Sequence, residues 1–281
     1  MSVAETDVLT TQVGDATFSY REAGCGPALV VLHGIGSGAA SFGFQLETLS
    51  ARFRVIAWDA PGYGQSTPLA PDQPDVSLYG AALNTWLGAL SVDRCHLVGQ
   101  SLGTLIAARF AAEQPERVLS LTLVGIARGH GWLPPSERQR LLAQRLEDLN
   151  RLGPHGMAAQ RGPRLLDPEA TEEVRQAVIE IMARIRPEGY IQAAHMLSTA
   201  DITADLLRLP TGLPLQILVG EADVITPPAV NREIAAAFPA ASMHIIPGAG
   251  HALYLEQPEI FNRLLADFAA SAVVASDLAV R

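Results

Sequence analysis

A serine between two glycines, set where an apolar run meets a helical pattern, constrains this chain more than any other feature. Residues 95–99 read as a buried strand, and a helical pattern runs from Ser101 to Gln114 and is closed by Pro115. Gly99-Gln100-Ser101-Leu102-Gly103 must therefore turn a strand into a helix within a few residues. Small flanking residues let strand and helix approach closely. The serine hydroxyl then projects above the sheet, near the positive end of the helix. A helix N-cap is the plain alternative for such a serine. The G-x-S-x-G spacing in a strand-turn-helix context favours a nucleophile.

The surrounding chain repeats the same logic. Residues 17–22 alternate, and short apolar runs at 28–32, 55–58, 119–124, 215–219 and 242–246 read as further strands. Helical patterns at 77–90 and 258–271 lie between or after them. Strands alternating with helices imply a mostly parallel sheet, of an eight-stranded type, covered on both faces. From 127 to 200 no strand pattern occurs. Helical patterns at 135–152, 168–186 and 188–198 are separated there by proline and glycine. This predicts a core of residues 1–126 and 201–281, with residues 127–200 inserted as a helical cap over one sheet edge. The last ten residues are expected to fray.

Composition narrows the chemistry. The 281 residues are 48% hydrophobic and 17% charged, which suits a packed core. No apolar run approaches the roughly 18 residues of a membrane span. The acidic N-terminus lacks a signal-peptide pattern, so a cytoplasmic location is expected. Cys25 and Cys95 make no disulfide framework and have no metal-ligand spacing around them. A net charge of −9 disfavours nucleic acid as a partner. All 20 basic residues are arginine, which excludes Schiff-base and P-loop lysine chemistry. No motif calls for a metal or organic cofactor, and the expected partner is a small-molecule substrate.

A nucleophilic serine needs a base, and the base needs an orienting acid. Asp223 lies in the loop after the run 215–219, and His251 in the loop after 242–246. Both positions fall at the carboxyl edge of the sheet, where Ser101 also lies and where open α/β sheets bind ligands. Glu221 is the competing acid, but Asp223 lies further into its loop. His96 and His244 fall within strands, and His130, His155 and His195 fall in the helical block, where packing or solvation explains them. An oxyanion hole requires two preorganised backbone N–H groups. Leu102, after the serine, and Ile35, in His33-Gly34-Ile35-Gly36-Ser37-Gly38, are the candidates. His33 reads as a brace for that loop.

Together, His33-Gly34, Asp59-x-Pro-Gly-x-Gly-x-Ser66, Gly99 to Gly103, Asp223 and Gly250-His251 resemble the α/β-hydrolase superfamily across nearly the whole chain. Asp59 to Ser66 is similar to that superfamily's structural turn. A narrower likeness is carried by Pro187-Glu-Gly-Tyr-Ile-Gln-Ala-Ala194, Gly220 to Pro228 and Gly250 to Glu259, which resemble the 3-oxoadipate enol-lactonase group. That likeness implies hydrolysis of a small ester or lactone, of the enol-lactone or carboxylate-bearing ring-breakdown kind. Gln100, where carbon–carbon hydrolases usually carry Asn, and Ala252, where they usually carry Trp, depart from that neighbouring group.

The cap should set substrate choice. Gly34, Gln100, Trp132 and Tyr190 are candidate substrate contacts, and one of the cap's many arginines, Arg161 or Arg164, could hold a carboxylate. The remaining alternatives are an amide or carbon–carbon hydrolase, a perhydrolase, a cofactor-free oxygenase, and a non-catalytic small-molecule receptor. The sequence leaves oligomeric state open, monomer or homodimer.

Overall fold

The computed structural model describes residues 6–279. Most of the acidic N-terminal segment and the last two residues lie outside them. The chain begins with strands β1 (Leu9–Val13), β2 (Ala16–Ala23) and β3 (Ala28–Leu32), followed by helix α1 (Gly43–Leu49). Then come β4 (Arg54–Trp58), α2 (Val76–Ala89), β5 (Cys95–Gln100), α3 (Leu102–Glu113) and β6 (Val118–Val124). The strands form one eight-stranded sheet in the order β1-β2-β4-β3-β5-β6, continuing into two later strands. β1–β2 and β2–β4 pair antiparallel, and the remaining pairs are parallel.

The strand sequences explain the layers. Every residue of β5 is buried, as expected where helices cover both faces. Alternate residues then enter different cores. Leu29, Val31, Val55 and Ala57 pack with Phe42 and Leu46 on one face. Val30, Leu32, Ile56 and Trp58 pack with Leu83, Trp86, Leu105 and Ile106 of α2 and α3 on the other.

Between β6 and the next strand the chain is helical. α4 (Pro135–Arg161), α5 (Glu172–Ala183), α6 (Pro187–Thr199) and the short α7 (Ile202–Leu206) precede β7 (Leu215–Gly220). The expected stop at 152 is a kink: Gly153 takes φ 62° and Pro154 follows, after which α4 resumes to Arg161. α5 is shorter than the expected 168–186, because Thr171 in extended conformation caps it by accepting the Val174 N–H. α6 starts one residue earlier than expected, with Pro187 in its first turn, a position that needs no N–H.

α8 (Pro228–Ala236), β8 (Ser242–Ile246), α9 (Leu253–Glu256) and α10 (Pro258–Ala279) complete the fold. α10 continues past the predicted end at 271, through most of the stretch expected to fray. α6 sits on the turn after β4 through a glycine–glycine contact. A methyl group on Gly189 would lie 2.2 Å from the Gly62 carbonyl oxygen. No helix among the described residues is long and apolar enough to cross a membrane.

Candidate active site

The turn between β5 and α3 is strained where the serine sits. Ser101 adopts φ 51°, ψ −117°, a region that non-glycine residues rarely occupy. Its glycine neighbours are forced by space. A methyl group on Gly99 would meet the Gly103 carbonyl at 2.4 Å, and one on Gly103 would meet the Leu32 carbonyl at 2.4 Å. Close approach of α3 to β3 and β5 thus dictates both glycines, and the serine between them is lifted to the sheet edge. Ser101 is 9% exposed.

β7 and β8 are parallel neighbours, so the loops leaving them emerge side by side. Backbone bonds tie those loops together: Glu221 N–H donates to Ile246 O and Ala222 N–H to Ala249 O, each at 2.9 Å. Gly220 permits this approach, since a methyl group there would lie 2.1 Å from Gly250 O. Asp223 and His251 consequently meet, with Nδ1 of His251 2.8 Å from Oδ2 of Asp223. Glu221 points to solvent instead.

Asp223 is surrounded by donors. Its Oδ1 accepts the N–H groups of Ile225 and Thr226, and its Oδ2 accepts the Thr226 hydroxyl at 2.8 Å. Burial pushes its carboxyl upward, but the hydrogen bonds from His251 and Thr226 outweigh this and hold it below the ordinary carboxylate range. An ionised Asp223 therefore accepts a hydrogen bond from the Nδ1–H of His251. Nε2 is left as the basic nitrogen, on a ring bordering the same cavity as Ser101.

The loop after β3 lies against the Ser101 turn. A methyl group on Gly34 would sit 3.1 Å from Ser101 Cβ and 2.5 Å from Gln100 Oε1. His33 braces this loop: its Nδ1 donates to Gly34 O at 2.8 Å, and its Nε2 accepts the Ala60 N–H at 3.0 Å. Both bonds together require a neutral ring, and burial lowers its affinity for a second proton. Tyr63 donates its hydroxyl to Ile35 O at 2.8 Å, fixing the peptide beside the Ile35 N–H. Leu102 opens α3, where the first N–H groups have no intrahelical acceptor. Gln100 is occupied structurally, donating to His251 O at 3.2 Å.

The resembling turn after β4 forms a closed network. Asp59 accepts the Ala39 N–H and the Ser19 hydroxyl, while Ser66 donates its hydroxyl to Asp59 O. These contacts hold scaffold in place, and Asp59 lies outside the cavity lining.

Ser101 and His251 open onto a cavity of about 720 Å³ between the sheet edge and the cap. Gly34, Ile35, Gln100, Leu102, Trp132, Arg161, Arg164 and Tyr190 all border it. Asp223 lies behind His251, outside the lining. The exposed Trp132, Val224 and Ile225 give the cavity an apolar rim. Arg161 is held by Asp148 at 2.7 Å, and Arg164 is solvent-exposed. Among the described residues no cluster of His, Cys, Asp or Glu is arranged to hold a metal.

Several residues that build the site lack a readable sequence signal. Asn231 accepts the Ile126 N–H and donates to Thr226 O, linking β6 to the acid loop. Glu256 accepts the N–H of Gly250, beside the histidine, and the N–H of Asp167 in the cap. Ala252 N–H donates to Leu165 O, so cap and histidine loop are joined at two points. Thr226 lies three residues after Asp223 within the Gly220 to Pro228 segment, and that spacing is its sequence signal.

A profile of the alpha/beta hydrolase fold matches residues 27–258. The chain is 31% identical over 275 residues to a 2-hydroxy-6-oxononadienedioate/2-hydroxy-6-oxononatrienedioate hydrolase from Paraburkholderia xenovorans, covering 92% of each chain. It is 32% identical to a pimeloyl-[acyl-carrier protein] methyl ester esterase from Chromobacterium violaceum, covering 87% of this chain and 94% of that one. The enol-lactonase from Burkholderia xenovorans shares the fold at TM-score 0.83 and 22% identity, covering 93% of this chain and all of that one at 100%. The chain belongs to the α/β-hydrolase family and is a hydrolase.

Proposed function

We propose that the protein hydrolyses a small ester or lactone through an acyl-enzyme on Ser101. His251 Nε2 removes the hydroxyl proton as Ser101 Oγ attacks the carbonyl carbon. The N–H groups of Ile35 and Leu102 stabilise the oxyanion. His251 then passes its proton to the leaving oxygen and activates water for deacylation, while Asp223 stabilises the imidazolium. The substrate is a carboxylate-bearing compound of the enol-lactone kind. The observation that carries this reading is the strained Ser101 turn sharing one cavity with a histidine whose Nδ1 is bonded to a buried aspartate.

Carbon–carbon hydrolysis is the second reading, favoured by the dienedioate-acting relative, whose named substrate carries no ester. Locking of Gln100 onto the His251 carbonyl and the buried, small Ala252 support the ester reading over it.

The test is turnover of short-chain p-nitrophenyl esters, simple lactones and ring-cleavage dienoates by the wild type and by Ser101→Ala. We expect Ser101→Ala to lower kcat by about 10³- to 10⁶-fold while the protein stays folded. Retention of most activity by that variant contradicts the assignment. Preference for the dienoates would select carbon–carbon cleavage.

A further inference from the structure

The cavity is strongly cationic in a chain whose net charge is −9. Of the charged side chains bordering it, Arg128, Arg145, Arg161 and Arg164 are positive, and among the described residues Glu233 alone is negative. These arginines are not equivalent. Arg161 is neutralised by Asp148, and Arg164 faces solvent. Arg145 differs from both. Its side chain reaches down from α4, half-buried, and its guanidinium donates to the hydroxyl of Tyr190 at 3.0 Å. No carboxylate among the described residues forms an ion pair with it.

Arg128 has a related deficit on the sheet side, four residues after β6. Its guanidinium stacks over Trp132 at 4.3 Å, and its Nε is buried without a partner. Its ion pair with the largely exposed Glu233 spans 3.8 Å, a weak contact in water. His130 adds no third charge, because burial and the Arg145 cation both hold its pKa below the ordinary value. Half-buried guanidinium groups with unused donors lose hydration unless an anion replaces it.

We propose that Arg145, oriented by Tyr190 and assisted by Arg128, binds a carboxylate of the substrate remote from the bond that Ser101 attacks. A planar carboxylate matches the paired donors of a guanidinium. The acyl or lactone carbon then lies at the sheet edge while the anion is held against the cap, so the cap selects acidic substrates. This inference rests on the hydrolase reading for its substrate. The anion site itself can be measured without turnover.

The experiment compares equilibrium binding of adipate and of its neutral diamide to the wild type, Arg145→Gln, Arg145→Lys and Arg161→Gln. Adipate should bind the wild type about 10- to 100-fold more tightly than the diamide. Arg145→Gln should erase that preference, Arg145→Lys should keep part of it, and Arg161→Gln should change it by less than about 3-fold. Turnover of monomethyl and dimethyl adipate gives the kinetic counterpart: Arg145→Gln should raise KM for the mono-acid several-fold more than KM for the diester. Equal binding of adipate and diamide by the wild type overturns the proposal. So does loss of preference in Arg161→Gln with retention in Arg145→Gln. Adipate preference without any Ser101-dependent esterase activity would instead remove the hydrolase reading and leave the anion site standing.

Discussion

The sheet edge and the cap solve different problems, and they are held together differently. At the edge, each candidate reacting group is fixed by short-range backbone geometry. Ser101 sits between two glycines that cannot be larger, and Asp223 and His251 ride on loops bonded to each other over two backbone contacts. The cap is a set of helices broken at Gly153-Pro154 and at the 162–171 segment, seated on the core through apolar residues such as Met157, Tyr190 and Met196 and through backbone contacts. Gly62–Gly189, Glu256–Asp167 and Ala252–Leu165 are among those contacts. On the proposed reading, reaction chemistry is built into the loops at the strand ends, and substrate choice into the helical layer above them.

Breaking the edge should have the largest effect. Asp223→Asn removes the charge that stabilises the imidazolium and disturbs the Nδ1–H tautomer, so kcat should fall by about 10⁴-fold. KM should change little, because the cavity walls are untouched. Steady-state kinetics on any verified ester checks both numbers, and a large rise in KM with kcat preserved would contradict the separation of edge from cap.

Acid probes the buried core next. His96 in β5 accepts or donates one bond, to Ser120, and its Nε2 is buried without a partner. Burial lowers its pKa to about 4. A histidine whose folded pKa is lowered contributes stability that is full above the unfolded value of about 6.5 and is lost as pH falls toward the folded value. Urea unfolding should therefore show a loss of roughly 2–3 kcal/mol from this group between pH 7 and pH 4. His96→Leu should flatten that slope. An unchanged slope would place the acid sensitivity elsewhere, His33 being the next buried histidine.

The cap seat gives the smallest effect. Gly189→Ala forces a methyl group into the Gly62 backbone, which should cost about 1–2 kcal/mol locally and lift α6. KM for a cap-contacting substrate should rise several-fold, while kcat for a minimal acetyl ester stays within about 2-fold. Equal losses for both substrates would mean that the cap also holds the edge in order.

The same contrast explains what could be read from the sequence. The nucleophile turn, the loops carrying Asp223 and His251, and the sheet's strand pattern depend on local periodicity and steric need, which leave marks in adjacent residues. Asp223 separated from Glu221 for the same reason, since the residue further into the loop clears the strand end. Tyr63, Glu256 and Asn231 each make a side chain–backbone bond to a residue distant along the chain, and nothing near them in sequence announces that partner. In the cap, amphipathic helices gave positions for arginines but no partners. Arg161 meets Asp148 across the Gly153 kink, whereas Arg145 meets the Tyr190 hydroxyl and, among the described residues, no carboxylate. The continuation of α4 beyond Gly153-Pro154 was hidden because proline and glycine ordinarily end a helix, and here tertiary packing resumes it.

The most direct test of the central claim is mass spectrometry of the protein after reaction with a fluorophosphonate. The account predicts a single adduct that maps to Ser101, absent in Ser101→Ala and strongly slowed in His251→Ala. Labelling at another residue, or undiminished labelling without His251, would contradict it.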